Sequence, residues 1–138
     1  LASYFNGKMV MRFGMRKLCR FALKGVNGFA VVYLVLLLAY DGLPPLIPTV
    51  TVMFVGFFFV GILFGNLNAM AMQPLGDMAG LGAAIIGSFS SLFSVPVALF
   101  VDSFLNGNLM PIGWGFLVFF ALSYVSVRYA ERVREGSI

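Results

Sequence analysis

Histidine is absent from this chain, cysteine occurs once, and only 10% of the residues are charged. Each shortage excludes something. A soluble globular domain carries about a quarter of its residues as Asp, Glu, Lys or Arg, so this chain is not built to be surrounded by water. With Cys19 alone and no His, no disulfide closes within the chain and no Cys/His metal cluster is available. Cys19 reads as a small apolar filler. An acid–base enzyme needs a titratable constellation at one place, and with neither His nor an acid pair inside the apolar segments none can be assembled. The expectation is a protein that is not an enzyme and has no cofactor and no metal.

Charge is also missing from the middle. Six basic residues lie at positions 8–24 and three at 128–134, whereas Gly25 to Val127 holds no Lys or Arg and only Asp41, Asp77 and Asp102. A net charge of +4 could signal nucleic acid, but basic flanks around an uncharged centre are a membrane pattern. What is present in quantity agrees: 61% of the residues are hydrophobic and mean hydropathy is +1.00. The fold class predicted is all-α integral membrane, with four transmembrane helices at about 16–40, 48–72, 78–102 and 110–128. Residues 6–15 are expected as a cytoplasmic loop. Leu1–Phe5 reads as the tail of an earlier helix, so the chain is expected to be the C-terminal part of a longer protein.

The breaks between spans have sequence causes. Asp41-Gly42 and Pro44-Pro45 stop the first span, and Asn106-Gly107 marks a turn before the fourth. Gln73-Pro74-Leu75-Gly76-Asp77 is a hinge between the second and third, with Asp77 placed to cap the third. Pro96 lies inside the third span, where Ser91 and Ser94 stand near the carbonyl it frees. Trp114 at one end of the fourth span, and Tyr124 and Tyr129 at the other, suit the two membrane interfaces. The end VVYLVLLLAY of the first span reads as lipid-facing. Four spans put both termini on one side. All nine basic residues are at the termini, which makes that side cytoplasmic and predicts a multi-pass protein of a plasma membrane.

The stretch Phe64–Ala98 organises these spans. Gly80, Ala84, Gly87, Ser91, Ser94 and Ala98 recur in steps of 4, 3, 4, 3 and 4. At ~100° per residue they fall within about 40° of one line, a face cut back for a close helix neighbour. In the second span Gly61, Gly65, Asn68 and Met72 share an arc about 60° wide, while Asn66 points elsewhere. An Asn in lipid needs a hydrogen-bond partner or water. Asn68 and Asn66, with Gly61 and Gly65 leaving room, are therefore candidates either for a substrate cavity or for an interhelical hydrogen bond. Asn27 is the one strongly polar residue of the first span.

Two segments resemble a known family. NGKMVMRFGMRK, which begins at Asn6, resembles the G-x-x-x-D-R-x-G-R-R loop between helices 8 and 9 of the major facilitator superfamily, with Gly7, Arg12, Gly14 and Arg16 in place. Met11 stands where that pattern has Asp. The form N-x-x-x-V-x-R-F-G-M-R is similar to the bicyclomycin/chloramphenicol-resistance (Bcr/CflA) branch of drug–proton antiporters. So is GNLNAMAMQPLGDMAGLGAAIIG, in which Asn68, Ala69, Ala71, Pro74, Leu75, Ala79, Gly80, Ala83 and Gly87 match; Asp77 departs from it. The resemblance implies that the spans are helices 9 to 12, part of the C-terminal six-helix bundle of a major facilitator fold. It implies proton-coupled multidrug efflux from a bacterial inner membrane, a cavity on the second span, and a half-to-half packing face at Gly80, Ala84, Gly87 and Ser91. The partners implied are the bilayer, N-terminal helices of the same transporter, a small drug-like substrate and the proton, with no nucleic acid.

Two other readings fit the same length. One is a complete four-helix multidrug exporter acting as a dimer, which would need a carboxylate at membrane depth; Asp41, Asp77 and Asp102 all fall at span ends. The other is a non-transporting membrane scaffold subunit.

Overall fold

The computed structural model describes residues 2–135, with side chains from 6 to 133; Leu1 and the side chain of Arg134 lie outside them. Within that range the chain is helices joined by short connections, in the order α1 (Ala2–Phe13), α2 (Met15–Ala39), α3 (Leu46–Met72), a 3₁₀ turn (Gln73–Met78), α4 (Ala79–Asp102) and α5 (Met110–Glu135). This is an all-α membrane protein. Three stretches are long and apolar enough to cross a bilayer: Met15–Ala39, Leu46–Asp102 and Met110–Val133. The second has 57 residues, far more than the ~20 needed for one crossing. It is folded into α3 and α4 at Gly76, whose φ of 49° and ψ of −119° lie outside the helical region. Without a Cβ that conformation carries no steric penalty.

Two expectations about the ends are corrected. Residues 6–15 are not a loop: α1 runs to Phe13 and breaks only at Gly14, with φ 80°. Met, Lys, Arg and Val, with no proline, sustain a helix there, and glycine supplies the one left-handed residue. The last helix does not stop near Arg128 but continues to Glu135. Its final turns are held by an ion pair in which Arg20 Nε donates to Glu131 Oε1 at 2.8 Å.

Helix α2 is the hub. Its buried residues Leu18, Cys19, Ala22, Leu23, Val26, Phe29, Ala30, Tyr33, Leu34 and Leu37 recur at helical spacing and form a continuous stripe. This corrects the reading of VVYLVLLLAY as lipid-facing. Tyr33, Leu34 and Leu37 are core, while Val31, Val32, Val35 and Leu38 are exposed. A uniformly apolar segment hides the difference, because lipid tails and a helix neighbour are equally apolar.

Helix α3 meets α2 through two reciprocal notches. A Cβ at Gly25 of α2 would overlap the Phe59 ring of α3, and a Cβ at Gly56 of α3 would overlap the Phe29 ring of α2. Helix α5 packs on the adjoining side. Gly113 receives Leu37 and Leu34, and Phe116 lies 5.5 Å from Phe29 and 5.9 Å from Tyr33 between ring centroids. Asn27 Nδ2 donates to the Phe120 carbonyl of α5 at 3.2 Å and to the Leu23 carbonyl of its own helix at 2.8 Å. Its polarity is thus consumed inside the three-helix bundle.

The two loops at the far end are also joined. Gly42, buried at φ 82°, leaves room for Asn108. Asn108 Nδ2 donates to the Asp41 carbonyl at 3.1 Å, Leu109 N–H donates to the Gly42 carbonyl at 3.0 Å, and Asn108 Oδ1 accepts from Met110 N–H at 2.8 Å. Asn108 therefore ties the loops together and caps the start of α5. Since α2 ends and α5 begins at this end, α4 returns here from the hinge, and the long helices alternate in direction. Of the basic residues whose side chains are described, Arg16, Lys17, Arg20, Lys24 and Arg128 gather at the opposite end, around the pockets bordered by Gln73 and Glu131.

Gly56→Leu should lower stability by at least ~1–3 kcal/mol, the overpacking range, whereas Gly87→Leu in the same chain should cost less than about 0.5 kcal/mol, since no heavy atom faces Gly87 within 4 Å. Thermal unfolding in detergent measures both. Tyr33 is fully buried and its hydroxyl has no hydrogen-bond partner among the described residues. Removing an unpaired buried hydroxyl relieves desolvation, so Tyr33→Phe should leave the melting temperature unchanged or raise it.

Candidate functional site

The polar residues of α3 are divided as their spacing predicts: Asn66 points away from the arc of Gly61, Gly65 and Asn68 and is buried, 1% exposed. Its Nδ2 donates to Asn6 Oδ1 of α1 and, at 2.8 Å, to the Ile62 carbonyl. This is a structural hydrogen bond between helices, and it corrects the placement of Asn66 in a substrate cavity. The signal was present in the sequence: Phe59, Ile62, Leu63, Asn66 and Met70 form one stripe at helical spacing, on which Ile62 and Leu63 are core.

Asn68 is half-buried, and its Nδ2 donates to the Phe64 carbonyl one turn back at 2.9 Å. Its side-chain oxygen has no described donor. Gly61 and Gly65 are exposed, so the arc they share with Asn68 is open. Asn6 approaches it, with Nδ2 3.6 Å from where a Gly65 Cβ would sit. The structure thus brings Asn6, Gly65 and Asn66 together and keeps Asn68 apart on the open side.

The segment that carries the loop resemblance is split across two helices. Gly7 is exposed with open space beside it, and Arg12 lies over the Phe13 ring at 5.4 Å. Gly14 makes the break, and Arg16 projects from the first turn of α2. Asp77 does not cap α4: Met78 holds the cap position and no side-chain bond is made there. Gly76 turns the chain just beforehand, which leaves Asp77 exposed in the 3₁₀ turn.

The face at Gly80, Ala84, Gly87 and Ser91 is exposed along its whole length, as is most of α4. Helix α4 has no fully buried residue and remains helical through Pro96. Only its last turns approach α5. There, apolar grooves of about 440 and 380 Å³ open on either side of Val101 and Gly115, the first bordered by Phe100, Phe104 and Trp114, the second by Ser94, Ala98 and Phe116. Asp41, Asp77 and Asp102 are all exposed. Among the described residues no group of three His, Cys, Asp or Glu converges to hold a metal ion.

Comparison with family models, with curated proteins and with solved structures finds no match.

The Asn6–Asn66 pair can be isolated by a double-mutant cycle. The coupling between Asn6→Ala and Asn66→Ala in thermal or denaturant unfolding should fall near 0.6 kcal/mol and not exceed ~1.7 kcal/mol, the range for interhelical polar pairs in membranes. Coupling between Asn68→Ala and Asn6→Ala should be absent.

Proposed function

We propose that this chain is the C-terminal part of a secondary active transporter of the major facilitator superfamily. Within that superfamily it fits the bicyclomycin/chloramphenicol-resistance branch, whose members export drug-like compounds against proton entry across a bacterial plasma membrane. The observation that carries this reading is α4. It bears a face of small residues in regular steps, and that face is left uncovered by its own chain while α2, α3 and α5 pack together. Alternating access rocks one half of such a transporter against the other around a site at their interface. A long helix cut back for close contact and without a partner suits that moving contact.

The rest of the reading follows from placement. Both chain ends carry the basic residues and belong in the cytoplasm. Asn68, beside exposed Gly61 and Gly65, is the cargo contact on α3. No described carboxylate lies at mid-span, because Asp41, Asp77 and Asp102 fall in or beside the connections between helices. The group that holds the proton at depth is therefore assigned to helices that precede this chain, and those helices also cover α4.

The test is reconstitution of residues 1–138 in vesicles under an imposed pH gradient, beside the longer protein. The isolated chain should give no drug-stimulated proton flux above empty vesicles. The longer protein should transport, with Asn68→Ala changing which compounds are exported while expression holds. Flux through the isolated chain that is lost on Asp102→Asn would overturn the proposal in favour of a four-helix exporter acting as a dimer.

A further inference from the structure

Where α1 gives way to α2, the reversal at Gly14 opens a pocket of about 380 Å³, lined by Phe13, Gly14, Met15, Arg16, Lys17, Met70 and Gln73. Its composition is two-sided. Arg16 and Lys17 are exposed cations with no ion pair among the described residues. No carboxylate lines the pocket; Asp77, in the same hinge as Gln73, stands outside the lining, and Glu131 is engaged with Arg20. The remainder is apolar: Phe13 is 50% exposed, and Met15 and Met70 are partly so. The site lies where the first turn of α2 and the last turn of α3 leave the apolar part of the bundle. Cations at the end of a spanning helix belong at the level of lipid headgroups.

We propose that this pocket binds the headgroup of an anionic phospholipid. The phosphodiester is held by the Arg16 guanidinium and the Lys17 ammonium, and the Gln73 amide is available to a headgroup hydroxyl. The glycerol and the first acyl carbons cover Phe13, Met15 and Met70. Charge complementarity and the apolar half together select this occupant. A free phosphate would use the two cations and leave the apolar wall wet, and a zwitterionic lipid would bring its own ammonium against them. Basic pockets between spanning helices on the cytoplasmic side take up anionic headgroups for the same reason. The site does not depend on what the protein transports, so it stands or falls separately from the transporter reading.

The experiment titrates the purified full chain in a neutral detergent and follows the melting temperature and lipid adducts by native mass spectrometry. Phosphatidylglycerol should raise the melting temperature saturably and be retained as a one-to-one adduct. Phosphatidylcholine and inorganic phosphate at equal concentration should do neither. Neutralising both cations, Arg16→Gln with Lys17→Gln, should weaken phosphatidylglycerol binding by at least about tenfold, at about fivefold per charge. Arg128→Gln with Arg132→Gln removes the same charge from the same end outside the pocket and should change it less than twofold. Phe13→Ser, which keeps both cations, should also weaken it. Equal losses from the two double variants would reduce the effect to diffuse surface charge and overturn the site. An equal response to inorganic phosphate would make it a free-anion site, and an equal response to phosphatidylcholine would remove its charge selectivity. Either result overturns the proposal.

Discussion

Everything in this molecule depends on how closely α2 and α3 can approach. Inside a bilayer no hydrophobic force drives one apolar helix onto another, because the tails it displaces are as apolar as the neighbour it gains. Association rests on shape and on the few polar groups available. Gly25 and Gly56 provide the shape: each is a notch on one helix filled by a phenyl ring from the other, Phe59 and Phe29 respectively. Since Phe29 also touches Tyr33, Phe116 and Phe120, the notch that seats α3 fixes the ring cluster that seats α5. A side chain at Gly56 would displace Phe29 and so disturb both contacts at once.

Polar residues add register to that shape. Asn27 reaches the Phe120 carbonyl and Asn66 reaches Asn6, while Asn108 ties together the two loops at the far end. In lipid each unpaired amide would be costly, so each pairing holds its helices against sliding. The three amides act at three levels: near the basic end, inside the α2–α5 contact and at the opposite loops.

These contacts explain which parts of the structure were legible in the sequence. Span positions were, because length and hydropathy report directly on the solvent. Met15–Ala39 and Leu46–Met72 lie within about two residues of their expected bounds. The breaks at Gly42, Gly76 and Gly107 were as well, since each takes a positive φ suited to glycine. Faces were not. Hydropathy carries no contrast between lipid and protein along Val31–Leu38, so the core positions of α2 were invisible until the neighbouring helices were placed. The bond that takes Asn66 out of the candidate cavity was not legible for a related reason. Gly61 and Gly65 drew attention to the open arc, whereas the deciding neighbour, Asn6, lies 60 residues earlier in the chain. The α1 helix was missed because its charges, taken as a solvated loop, are equally compatible with a helix at the headgroup level.

The exposed α4 is then intelligible as a stable arrangement. In water a helix with Ile85, Phe89, Leu92, Phe93, Leu99 and Phe100 uncovered would collapse onto the nearest apolar surface. In a bilayer those side chains are already in their preferred solvent, and a continuous helix satisfies its own backbone. The one carbonyl that Pro96 deprives of its donor lies a turn away, near Ser91 and Ser94. No force within the chain therefore compels α4 to join α2, α3 and α5. Large residues bring no gain from such a move, because lipid contacts them as well as protein would. The line through Gly80, Ala84, Gly87 and Ser91 is different: it offers lipid little side-chain surface but lets another helix backbone come close, and close approach is what association in lipid rewards. The same physics that lets α4 stand free thus leaves this line as the face of α4 on which a close helix neighbour would be favoured.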